Sequence, residues 1–241
     1  MPVRVHVALT PDDLGRGDLH SRAVVVIDVF RAATTVTTAL SHGCRKVIPV
    51  LTPEAAHERA RGFPPGEVLL AGERGGEPIA GFDLGNSPLE YTADRVAGKV
   101  IIFTTTNGTR ALVSATGAAV TALAALVNVK AISQWIRDQG RDLTLVCAGE
   151  SGGVSLEDTV CAGLIIIALA TGGTPLELSD EATIAHSVAR DYHDRLADLL
   201  RDSKWARHLA RAGREKDLAV CLSLDAWPLV PLFRNGALTA D

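Results

Sequence analysis

Arg22-Ala-Val-Val-Val-Ile-Asp-Val-Phe-Arg-Ala-Ala-Thr-Thr35 switches from one structural period to another within a few residues. Its first half is an unbroken β-branched run. That is the pattern of a strand covered on both faces, not of one that alternates between core and water. Asp28 ends the run. From Ala32 to His42 apolar residues recur at helical spacing, up to Gly43, which is placed as a helix-ending glycine. A doubly buried strand followed at once by a helix is the first half of a βαβ unit.

The same rhythm repeats along the chain. Val47 to Leu51 reads as a strand, and Thr52-Pro53-Glu54 as a helix start with Thr at the N-cap and Pro in the first turn. Further strands are predicted at Val68 to Ala71, Lys99 to Phe103, Ala118 to Leu123 and Leu143 to Cys147. Helices are predicted from about Thr109, over Val127 to Gln139 with Gly140 as the stop, and over Ser155 to Thr171. Ser179 to Ala212 reads as charged and helical throughout, and Leu229 to Phe233 as a final strand. The expected class is α/β: three α/β/α layers around a largely parallel or mixed sheet, with a helical C-terminal portion. A chain of 241 residues suits a single domain, or two closely packed subdomains of about 1–125 and 126–241.

Composition removes several classes of function. A net charge of −4 without a basic stripe argues against nucleic acid as a partner. No run approaches the ~18 apolar residues that span a membrane, and the N-terminus lacks an apolar signal core. Cys44, Cys147, Cys161 and Cys221 lie far apart and form no Cys-x-x-Cys pair. They are expected to be reduced core residues of a cytoplasmic protein, with no structural zinc.

In open α/β sheets ligands bind beyond the carboxyl ends of strands, so the residues after each strand matter most. Asp28 leaves the first strand, followed by Arg31, a natural partner for an anionic oxygen, and by the hydroxyls of Thr34 and Thr35. Gly72-Glu73-Arg74-Gly75-Gly76 puts a second acid–arginine pair between glycines. Thr104-Thr105-Thr106-Asn107-Gly108-Thr109-Arg110 offers hydroxyls, an amide and backbone N–H groups before a helix, without the Gly-Lys-Ser/Thr element of a Walker loop. After Cys147, Ser155-Leu-Glu-Asp158 reads as a capping box in Ser155 and Asp158, which leaves Glu157 without a structural task. If the sheet is parallel, all four turns open on one edge. Carboxylates there suit magnesium and arginines suit an oxyanion, which together fit metal-assisted chemistry on a phosphate ester. The seven histidines lie outside these turns, which disfavours a histidine nucleophile, and no Gly-x-Ser-x-Gly elbow is present. A binding protein that keeps the anion pocket without turnover, or a metal-dependent lyase or isomerase, fits the same residues.

Asp28-Val-Phe-Arg-Ala-Ala-Thr-Thr-Val36, Ala71-Gly-Glu-Arg-Gly-Gly76, Gly81-Phe-Asp-Leu-Gly-Asn-Ser-Pro-Leu-Glu-Tyr-Thr92, Thr105-Thr-Asn-Gly-Thr109 and Ser155-Leu-Glu-Asp-x-x-Cys-Ala-Gly163 resemble the 2-phosphosulfolactate phosphatase family. The match runs in order over roughly residues 20 to 165. The resemblance implies a magnesium-dependent acid phosphatase that converts (2R)-O-phospho-3-sulfolactate to 3-sulfolactate and phosphate in coenzyme M biosynthesis. It also implies an α/β fold of the family's own and a homodimer. Carried over by position, Asp28, Arg31, Glu73, Arg74, Asn107, Glu157 and Asp158 form the site, with magnesium held among Asp28, Glu73, Glu157 and Asp158. Thr34, Thr35, Thr105, Thr106, Asn107, Gly108 and Arg110 are the candidate substrate contacts. A sulfonate needs a second cationic contact, for which Arg74 and Arg110 are candidates. The loop Glu150-Ser-Gly-Gly-Val154 is more glycine-rich than the family pattern.

Overall fold

The computed structural model describes residues 2–14 and 19–240. Within them the strands are β1 (Val3–Ala8), β2 (Ala23–Ile27), β3 (Lys46–Pro49), β4 (Val68–Arg74), β5 (Glu77–Pro78), β6 (Val100–Thr104), β7 (Val120–Ala124), β8 (Leu143–Cys147), β9 (Leu176–Leu178), β10 (Pro231–Arg234) and β11 (Ala237–Ala240). The helices are α1 (Ala32–Ser41), α2 (Pro53–Ala60), α3 (Ala93–Val96), α4 (Gly108–Ser114), α5 (Val129–Gln139), α6 (Leu156–Thr171), α7 (Asp180–Tyr192), α8 (Leu199–Asp202), α9 (Lys204–Arg211) and α10 (Glu215–Cys221). One mixed sheet runs β5-β4-β6-β3-β11-β10-β7-β2-β8-β1-β9, flanked by helices in three α/β/α layers.

The β-branched run at β2 is explained by its two faces. Val25 and Ile27 point into a core with Ile132 of α5, Ile165 of α6 and Ala185 of α7. Val24 and Val26 point into a second core with Val36 and Ala39 of α1 and Leu112 of α4. Every residue of β2 is buried, so the strand has no polar face to alternate. The predicted caps at Thr52, Ser155 and Gly140 are present: the Thr52 hydroxyl accepts from Ala55 N, the Ser155 hydroxyl from Asp158 N, and Gly140 is left-handed.

The sheet is not parallel throughout. Within each half the strands are parallel: β4, β6 and β3 on one side, β7, β2, β8, β1 and β9 on the other. Between them sits the antiparallel hairpin β10–β11, which joins β7 at Leu232–Ala122 and β3 at Leu238–Val47. Three successive antiparallel steps reverse the sense, so the two halves run opposite ways along the sheet. A single flat edge therefore cannot collect all four turns, contrary to the simple expectation. Strands twist by about 20–25° each, and over the five steps from β6 to β2 this accumulates to roughly 100°. Twist of that size turns the ends of the opposed halves toward each other.

Three local readings change. β4 does not stop at Ala71 but continues through Glu73 and Arg74, which pair with Pro78 and Glu77 of β5. Gly72 permits this: it has φ +139°, and a Cβ there would lie 1.9 Å from the Thr104 carbonyl oxygen. The charged segment from Ser179 is broken into α7, α8 and α9, because the Ser203 hydroxyl accepts from Ala206 N and starts a new helix. The strands β1, β5, β9 and β11 lie outside the strands expected from sequence. All four cysteines are free and buried. No helix among the described residues is long and apolar enough to cross a membrane.

Candidate functional site

Turns from both halves of the sheet meet at a cavity of about 280 Å³. The turn after β2 contributes Asp28, Arg31 and Ala32, the end of β4 contributes Glu73 with Gly75 and Gly76, and the turn after β6 contributes Thr105, Thr106 and Asn107. Glu150 and Ser151 follow β8, Asn86 comes from the loop before α3, and Trp205 and His208 reach in from α9.

Asp28 sits at the buried end. One carboxylate oxygen accepts from Ala32 N at 3.0 Å, the first amide of α1. The other faces Gly108, where a Cβ would lie 2.7 Å away. Burial pushes the carboxyl up to about 7, and the negative charges of Glu73, Glu157 and Glu150 add to the rise against the Ala32 hydrogen bond. Behind it, Asp158 joins two turns: its oxygens accept from Val29 N at 2.8 Å and Gly149 N at 3.2 Å. Burial, then the charges of Asp28 and Glu157, hold Asp158 well above the ordinary carboxylate range. The capping box is thus half present. Ser155 caps α6, but the Asp158 side chain does not return to Ser155; it bridges to the turn after β2. Glu157 is buried and raised by desolvation, with the Ser203 and Ser155 hydroxyls acting in the opposite direction.

Glu73 is a clamp between loops. It accepts from Gly76 N and Thr106 N, each at 2.7 Å, and from the Thr106 hydroxyl at 3.2 Å. Asn107 donates to Glu150 at 3.1 Å, and Ser151 to the same carboxylate at 2.7 Å.

The arginines separate clearly. Arg31 lines the cavity, with Nη1 2.6 Å from Asp217 and Nη2 donating to the Gly76 carbonyl at 2.8 Å. Asp217 also accepts from the Ser87 hydroxyl at 2.5 Å, so a buried ion pair ties α10 to the turn after β2. Arg74 donates to the carbonyls of Glu73 and Leu51 and to the Thr104 hydroxyl, which locks the ends of β4 and β6 together outside the cavity. Arg110 pairs with Asp12 on the surface at 2.6 Å. Thr34 and Thr35 donate to the carbonyls of Val29 and Asn86 and do not line the cavity.

Trp205, His208 and Asp217 at or beside the cavity have no signal in the sequence, while Asn86 and Glu150 fall in loops that the sequence marks without assigning them a role. Trp205 donates to the Phe30 carbonyl at 2.8 Å and stacks on His208 at 4.6 Å. The Asn86 side-chain oxygen is buried without a hydrogen-bond partner, so the wall holds an acceptor that a ligand could fill.

The donor set also bears on magnesium. Among the described residues no three His, Cys, Asp or Glu side chains sit close enough to form a protein cage for a metal. Magnesium commonly takes only one or two carboxylates and completes its shell with waters and phosphate oxygens. Asp28, with one oxygen free of amide donors, and Glu150 in the same lining fit that mode.

Fold and cleft are those of an α/β enzyme, and its relatives place it among the phosphoric monoester hydrolases. A family model described as 2-phosphosulpholactate phosphatase matches residues 8–236. The chain is 44% identical over 219 residues, 91% of its length and 94% of the relative's, to a probable 2-phosphosulfolactate phosphatase of Symbiobacterium thermophilum. It is 40% identical to one of Caldanaerobacter subterraneus subsp. tengcongensis, covering 94% of each chain. It is 36% identical to one of Clostridium acetobutylicum, covering 98% of this chain and all of the relative. The chain belongs to the 2-phosphosulpholactate phosphatase family.

Proposed function

We propose that the protein is a magnesium-dependent phosphatase that hydrolyses 2-phosphosulfolactate to sulfolactate and inorganic phosphate. The observation that carries this reading is the charge balance of the cavity. Asp28, Glu73 and Glu150 line it, while the charge of Arg31 is offset by Asp217. A phosphomonoester dianion entering such a wall meets net negative charge. A cation in the same wall would offset the charges of Asp28, Glu73 and Glu150.

Magnesium, held by Asp28 and Glu150, would supply Lewis-acid polarisation of a phosphoryl oxygen and offset its charge. Asp28 would be the carboxylate that attacks phosphorus or takes the proton of an attacking water. Arg31, fixed by Asp217 and Gly76, presents its remaining N–H edge to phosphoryl oxygens without having to reorganise. Glu73 holds the turns after β4 and β6 at a set separation, so its task is positional. The four buried thiols suit a reducing, cytoplasmic setting.

Two results follow. Phosphate release from 2-phosphosulfolactate is lost on adding EDTA and restored by excess Mg2+; release that continues at full rate in EDTA contradicts the cation. Gly108→Ala pushes a methyl group against Asp28 and Ala32. The variant stays folded by circular dichroism and turns over at least tenfold more slowly. Unchanged turnover would show that Asp28 tolerates displacement and is not the reacting group. Phosphate itself is the decisive product, since a lyase or isomerase leaves the ester intact. Light scattering at twice the chain mass checks the homodimer that the resemblance implies.

A further inference from the structure

We propose that His208 is the specificity-determining residue for the substrate's second acid group: its imidazole N–H takes the carboxylate or sulfonate while the phosphoryl group lies at Asp28. The proposal rests on the phosphatase reading and assigns the far end of the same cavity.

A phospho-acid brings two anionic ends, and the second needs a donor. Of the described residues lining the cavity, Arg31 and His208 are the ones whose side chains can carry positive charge. Arg31 lies at the buried end with its charge offset by Asp217. Arg74 and Arg110, the candidates from sequence, are turned elsewhere and held by other partners. His208 remains. Among the described residues no hydrogen bond or ion pair to protein engages its ring nitrogens, so both are available to a ligand.

The ring is also held in place. His208 lies nearly parallel to Trp205, with 13° between the planes. Trp205 is anchored by its bond to the Phe30 carbonyl, one residue from Arg31, and packs against Gly76, where a Cβ would come within 3.4 Å of the indole. Ser203 caps the helix that carries both rings. Asp28 is buried and His208 exposed, so the cavity leads from an acidic floor to an imidazole at the mouth. That polarity orients a molecule with phosphate at one end and a free acid at the other. Plain phosphomonoesters satisfy only the floor.

The test compares kcat/KM for 2-phosphosulfolactate with that for glycerol 2-phosphate, which has no second acid, in the wild type, His208→Ala and His208→Lys. The ratio between the two substrates falls at least tenfold in His208→Ala, chiefly through KM for the phospho-acid, and His208→Lys restores most of it. A ratio within twofold of wild type in His208→Ala overturns the proposal, as does a loss confined to kcat. Thermal unfolding of each variant excludes a fold defect at this exposed position. If the wild type releases phosphate from neither compound, the phosphatase reading fails on its own account. Calorimetric binding of 3-phosphoglycerate against glycerol 2-phosphate then decides the His208 proposal by the same ratio and the same twofold limit.

Discussion

Asp28→Asn lowers turnover of 2-phosphosulfolactate by at least a hundredfold and, at the same time, raises the melting temperature at pH 8. The activity loss follows from removing the one carboxylate that lies at the buried end of the cavity with an oxygen free of amide donors. The stability gain follows from the direction of its titration. Burial lifts this carboxyl from 3.8 to about 7, so the folded state favours the protonated form. Stability is fully present below about pH 4 and falls as pH rises from there to about 7, above which the group is ionised in the folded state as well, beside Glu73, Glu157 and Glu150. In the fully buried limit the cost is on the order of 4 kcal/mol. Asparagine keeps an oxygen for Ala32 N and removes the charge, so the variant gains roughly 5 °C or more at pH 8 and little at pH 4. Calorimetric melting at the two pH values, with EDTA present, checks the prediction. A destabilised variant at pH 8 contradicts the claim that Asp28 is held against its own charge.

Asp217→Ala has the largest expected effect on stability. It leaves the Arg31 guanidinium buried with only the Gly76 carbonyl and strands the Ser87 hydroxyl. Breaking one side of a buried ion pair costs about 3–5 kcal/mol, whereas replacing both partners by apolar groups is often close to neutral. The expected fall in melting temperature is about 10 °C. The double variant Arg31→Met with Asp217→Leu recovers most of that loss. It does not recover turnover, because the guanidinium edge facing the cavity is gone. An Asp217→Ala protein within 1 kcal/mol of wild type by urea unfolding would show that water reaches Arg31 and that the pair is not structural.

The parts of this architecture that are legible in the chain are those set by local pattern. The run at β2 is apolar at every position because two cores claim it, and Thr52, Ser155 and Gly140 announce helix ends through their own chemistry. Asp28 after β2 and the Thr105–Asn107 turn after β6 are legible because a strand end is an address. What the chain does not disclose is partnership. Arg31, Arg74 and Arg110 look alike in sequence, yet one holds Asp217 across 186 positions, one ties β4 to β6, and one meets Asp12 at the surface. Asp158 reads as a cap and serves as a bridge, because Val29 N is near only after the sheet forms. Trp205 and His208 sit in a charged helical segment with no local mark of a cavity wall. The hairpin at Pro231–Ala240 is a similar case: its place between β7 and β3 reverses half the sheet.

The most direct test of the central claim is a crystal grown with Mn2+ in place of Mg2+ together with inorganic phosphate. An anomalous peak bound to an Asp28 carboxylate oxygen and to phosphate, between the turns after β2, β6 and β8, is the predicted result. Manganese at another place on the molecule, or phosphate bound away from Asp28, would contradict the account.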